Sequence, residues 1–68
     1  MRAFIYLKNT VDKKPILFEN PSRILINGSE VNVNEFRVIG NADYLFANAK
    51  GALAINGSEI RYVFFQND

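Results

Sequence analysis

The pentapeptide Ile26-Asn27-Gly28-Ser29-Glu30 recurs unchanged as Ile55-Asn56-Gly57-Ser58-Glu59. Asn-Gly is the favoured centre of a two-residue type I′ hairpin, because both central positions need a positive φ that Asn and Gly reach with least strain. Two hairpins are expected. In the first, Ile26 would face Ser29, Leu25 would face Glu30 and Ile24 would face Val31, setting Ile24, Ile26, Val31 and Val33 on one side of a half-buried ladder. In the second, Leu53, Ile55, Ile60, Tyr62 and Phe64 would share a face.

The likeness extends outward from the pentapeptide. At the same offset Ile16 meets Leu45, Ile24 meets Leu53, Val31 meets Ile60 and Ser22 meets Gly51, so apolar positions align with apolar and turn positions with turn. The chain reads as one β domain, residues 1–68, built from pseudo-repeats at about 16–35 and 45–64. The repeat also bears on residues 42–50, where Ala42, Leu45, Phe46 and Ala49 have helical spacing. The matching stretch of the first half contains Pro15 and Pro21 and suits a short strand and a turn, so a strand is expected over 44–48 as well.

Composition agrees with an all-β chain. Of 68 residues, 49% are hydrophobic, with seven Ile, five Val, six Phe and three Tyr, and nine Asn supply turns. A strand at 2–8, a loop over 9–14, a meander over 16–34, a connection holding Phe36 and Ile39, and a second meander over 44–66 make seven or eight short strands. So many strands in so short a chain are expected to form a small SH3-like barrel or a compact two-layer β-sandwich, with an OB-fold ranked behind both.

Chemistry is sparse. There is no Cys and no His, which removes the commonest near-neutral base and the most reactive nucleophile, along with disulfide frameworks and Cys/His zinc sites. Ser29 and Ser58 read as turn residues. Glu30 and Glu59 would form a carboxylate pair only if the two hairpin tips converged, and exposed Glu after a turn is ordinarily solvated. The four glycines stand singly, so no phosphate-cradling loop is present. No catalytic residue, cofactor site or metal site is expected, and the chain reads as a non-enzyme.

The more informative feature is a surplus of apolar side chains. If Ala3, Ile5, Leu7, Ile16, Phe18, Ile24, Ile26, Val31, Val33, Leu45, Leu53, Ile55, Ile60, Tyr62 and Phe64 line the core, alternation turns Phe4, Tyr6, Leu17, Leu25, Tyr44, Phe46, Val63 and Phe65 outward. A fully buried large apolar side chain contributes about 1.5 to 3 kcal/mol, so these eight form a candidate protein interface. The expected function is a small binding module that acts by occupancy: a homo-oligomer or a partner-binding protein. Its size and lack of chemistry suit a phage or mobile-element accessory protein that inhibits or adapts a partner.

An alternative is a single-stranded nucleic-acid binder, with Phe4, Tyr6 and Tyr44 as stacking platforms and Arg2, Lys8, Lys13 and Lys14 on phosphates. A net charge of +1 with interspersed signs gives it little electrostatic support, and Asp12 dilutes the 8–14 cluster. A second alternative is a nucleotide-type small-ligand sponge at an oligomer interface. The apolar run from Ala3 to Leu7, stopped by Lys8, is too short for a signal-peptide core or a membrane span, and a cytoplasmic location is expected.

Overall fold

The computed structural model describes residues 1–9, 11 and 13–67. Asp12, read above as diluting the basic loop, lies outside the described residues. Among the described residues seven strands form: β1 (Arg2–Leu7), β2 (Ile16–Glu19), β3 (Arg23–Ile26), β4 (Ser29–Glu30), β5 (Asp43–Asn48), β6 (Gly51–Asn56) and β7 (Ile60–Gln66). They divide into two antiparallel sheets, a three-stranded one ordered β2-β1-β7 and a four-stranded one ordered β4-β3-β5-β6. The chain is all-β, with two facing sheets and no closed barrel. Both of the expected meanders are broken, because β2 leaves β3 to pair with β1, and β7 leaves β6 to pair with the other side of β1.

The core lies between the sheets. Ile5 of the first sheet, Ile24, Tyr44 and Phe46 of the second, and Ala42 and Ile60 are buried together, with Leu7, Ile16, Phe18, Val63 and Phe65 packed half-buried against them. Phe36, which belongs to no strand, follows a 3₁₀ turn over Val33–Glu35 and sets its ring against Tyr44, Phe46 and Phe65 at 5.2 to 5.9 Å. The connection between the halves thus contributes a core aromatic. Tyr44 carries its hydroxyl into this interior with both bonds met: it accepts from the Ile39 N–H and donates to the Arg37 carbonyl, each at 2.6 Å. Burying a hydroxyl without partners would cost about 1 to 3 kcal/mol.

The two identical pentapeptides fold differently. Asn27 and Gly28 have φ of 52° and 81° and make the expected I′ turn, with Ile26 opposite Ser29 and Leu25 opposite Glu30. Asn56 has φ of −86°, and Gly57–Glu59 form a 3₁₀ turn capped by the Asn56 side chain, which accepts from the Ser58 N–H at 2.9 Å. No hairpin forms there. Gly57 is buried, donates to the Ala42 carbonyl at 2.7 Å, and leaves no space for a side chain, since a Cβ would lie 2.1 Å from the Ile39 carbonyl oxygen. The physical reason is tertiary. A hairpin would return β7 onto β6, whereas the 3₁₀ turn carries it to the first sheet, burying Ile60 and giving β1 its second neighbour over Arg2–Leu7.

Candidate interaction surface

The outer face of the three-stranded sheet is built in rows by the registers of β1. Arg2 stands between Glu19 and Gln66, Phe4 between Leu17 and Phe64, and Tyr6 beside Tyr62. Apolar side chains fill the two inner rows. Phe4 and Phe64 meet at 6.1 Å with their planes tilted by 40°, while Tyr6 and Tyr62 stack at 4.4 Å and 18°. Cross-strand aromatic pairs of this kind stabilise a sheet by about 0.5 to 1 kcal/mol each, so the stripe supports β7 on β1. It also remains in water: Leu17, Tyr62 and Phe64 are 46%, 49% and 54% exposed. Together with the half-buried Phe4 and Tyr6 they present on the order of 400 Å² of apolar surface, the range in which a contiguous patch marks an interaction site.

One end of the stripe is basic. A concavity of about 180 Å³ opens there, lined by Tyr6, Leu7, Lys13, Arg61 and Tyr62. Arg61 is anchored by its guanidinium, which donates to the Lys8 carbonyl at 3.3 Å. The opposite end is mixed in sign, with Glu19 and Gln66 flanking Arg2.

Of the eight side chains expected to face outward, Phe4, Tyr6 and Leu17 lie on this face. Leu25 lies half-buried on the outside of the other sheet, opposite Leu45. The remaining four are corrected. Tyr44 and Phe46 are 1% and 0% exposed because β5 pairs with β3 so that they share the inner face with Ile26 and Ile24. Tyr44 is therefore no stacking platform. Val63 and Phe65 turn inward and pack on the core, while Tyr62 and Phe64, expected inside, turn out.

The exchange on β7 has a specific cause. The register between β1 and β7 shifts between Tyr6 and Leu7, pairing Tyr6 with Tyr62 but Leu7 with Ile60. Arg61 is the extra residue of a β-bulge, and one inserted residue flips every side chain beyond it. Sequence alternation counted from Ile60 thus misses Tyr62, Phe64 and Arg61. A charged residue inside an otherwise apolar strand was the available signal of a bulge.

The residues weighed for nucleic acid are only partly assembled. Arg2 lies in the outer row and Lys13 at the tyrosine end, whereas Lys8 and Lys14 are exposed but line none of the aromatic stripe's concavity. The carboxylates Glu30 and Glu59 go separate ways. Glu30 pairs with Arg23 at 3.3 Å, both well exposed, and Glu59 borders a small hollow with Leu7 and Asn9. Among the described residues no three acidic side chains cluster in a way that would hold a metal ion.

A concavity of about 460 Å³ lies at the end of the sheets among Glu19, Asn20, Ser22, Asn48, Ala49 and Lys50. Two of its polar side chains, Asn48 and Ser22, are engaged in holding the fold. Asn48 donates to the Glu19 carbonyl at 2.6 Å and accepts from the Lys50 and Gly51 amides, and Ser22 donates to the Ala47 carbonyl at 3.2 Å. These bonds tie the sheets together at one end. No helix among the described residues is long and apolar enough to cross a membrane. Comparison with protein-family models, curated proteins and solved structures finds no match.

Proposed function

We propose that this chain is a non-enzymatic binding module whose working surface is the outer face of the sheet β2-β1-β7. The observation that carries the reading is the half-exposed stripe of Leu17, Phe4, Phe64, Tyr6 and Tyr62. Its occupant is a protein with an apolar centre and an acidic margin, the latter meeting Lys13 and Arg61 at the tyrosine end. Such a module acts by occupancy, the mode of a small accessory protein that inhibits or adapts its partner.

A single-stranded nucleic acid is the second reading, favoured by the same juxtaposition of Lys13 and Arg61 with two tyrosines. Against it, the tyrosines stack on each other, so each has one ring face already occupied.

The test uses Leu17→Asp with Tyr62→Asp, both at exposed positions, beside Leu25→Asp on the other sheet. Immobilised chain treated with nuclease is expected to retain a protein at near-equal stoichiometry, with retention falling at least tenfold in the double variant and little in Leu25→Asp. Equal losses in both variants would overturn the reading. Anisotropy of a labelled single strand gives the other outcome: binding that weakens steeply with salt and disappears in Lys13→Glu with Arg61→Glu would establish nucleic acid as the occupant.

A further inference from the structure

Four strands end the two sheets, and they differ in how they guard their open edges. β4 has two residues. β2 has four, lies between Pro15 and Pro21 and ends on Glu19. β6 presents only Ala52 and Ala54 as exposed apolar side chains. β7 is the longest at seven residues, has no proline, and carries one charge, which lies at the bulge. Natural sheets protect their edges with short strands, prolines and charges, because an open edge is a template for another strand. By that measure β6, with no proline and no charge, is open as well; β7 is the longer of the two and, with Tyr62, Val63, Phe64 and Phe65, carries the side chains that favour pairing with a further strand.

Hydrogen-bond parity identifies the groups on that edge. Asn20 donates to the Met1 carbonyl at 2.7 Å and Lys8 to the Glu59 carbonyl at 2.9 Å. Odd-numbered residues of β1 therefore address β2 and even-numbered ones address β7. Opposite Phe4 and Arg2, Phe64 and Gln66 point their backbone groups to β1, which leaves those of Val63 and Phe65 directed away from the sheet. Phe36 touches Phe65 through its ring, yet among the described residues no backbone bond from the connection 33–39 reaches β7.

We propose that the chain forms a symmetric dimer in which β7 pairs antiparallel with β7 of a second copy about a twofold axis at Phe64. In this register Val63 of one protomer meets Phe65 of its partner, and Phe65 meets Val63, so each outward backbone group finds its complement. Phe64 then lies opposite Phe64 of the partner on the outer face, as a non-hydrogen-bonded pair with closely spaced side chains. Arg61 stays outside the paired core of the interface, and no two like charges face each other. The two sheets become one of six strands, crossed by an unbroken apolar row of Leu17, Phe4 and Phe64 followed by their copies in reverse.

The dimer does not depend on what the face binds, and its test reads mass and cross-linking rather than capture of a partner. Light scattering across a concentration series is expected to give twice the 7.7 kDa of one chain. Val63→Pro removes an N–H that β1 does not use, and is expected to return the mass to that of a monomer with the thermal transition retained. Because the chain has no Cys, Phe64→Cys supplies a second readout that tolerates weakening of the dimer. Mild oxidation is expected to cross-link it across the twofold at least tenfold faster than Leu17→Cys on the far strand. A wild-type mass of one chain at every concentration, or equal cross-linking rates for the two cysteine variants, would overturn the proposal. Binding of a partner protein by a monomer would leave the reading of the face standing and the dimer refuted.

Discussion

Gly28 and Gly57 occupy the same place in identical pentapeptides and are required for different reasons. Gly28 has open space around it and a φ of 81°, so its requirement is conformational; Gly57 has an ordinary φ, and its requirement is steric. Alanine at position 28 is expected to cost about 1 to 2 kcal/mol, the strain of holding a Cβ in the left-handed region. Alanine at 57 is expected to cost more, about 3 kcal/mol, because the Ile39 backbone and the Tyr44 ring would both have to yield. Asparagine separates the two cases, since it tolerates a positive φ but brings a larger side chain. Gly28→Asn should be nearly silent and Gly57→Asn at least as damaging as alanine, as read from urea unfolding midpoints. The side chains of the paired asparagines meet one residue: Asn27 accepts from the Asp43 N–H at 2.8 Å, and Asn56 donates to the Asp43 carboxylate at 3.1 Å. Nothing in the local sequence around Asp43 announces that role.

Among the elements, those specified by neighbours in the chain were legible and those specified by distant partners were not. The Asn27-Gly28 hairpin follows from turn chemistry, and the strand at 43–48 follows from comparison with a proline-bounded stretch that excludes a helix. The inner and outer faces of β5 did not follow. Leu45 was matched to Ile16 by the repeat, but β2 and β5 lie in different sheets, and pairing with β3 puts Tyr44 and Phe46 inside instead. The aromatic face was half legible for a comparable reason: β1 and β2 alternate strictly, whereas β7 contains a bulge created by its long-range partner. Phe36 shows the same limit in a connection, where no periodicity exists to mark a core residue. Phe36→Ala is expected to destabilise by about 3 kcal/mol, as much as a strand aromatic, since it removes three ring contacts. A loss below about 1 kcal/mol in urea unfolding would show that its ring does not bridge the sheets in solution.

At the scale of the whole molecule, composition indicated two packed β layers but not which strands share a layer. That choice rests on where β1 finds neighbours. Four of its six residues pair with β2 on one side and all six with β7 on the other, although β7 lies at the far end of the chain and residues 8–15 separate β1 from β2. The cost of closing those loops is met by burying Ile5 and Ile60 between the sheets, a gain that local pattern does not disclose. The divided pentapeptide then becomes an internally calibrated probe of the folded state. The amides of Gly28 and Gly57 have the same flanking residues, hence nearly equal intrinsic rates of hydrogen exchange with solvent. Only their settings differ, one exposed at a turn tip and the other buried and bonded to Ala42. The ratio of their exchange rates, followed by NMR in a single sample, is expected to exceed about a hundredfold and to approach unity as denaturant is added. It reports the free energy of opening the Gly57 site with no reference peptide, because the chain carries its own.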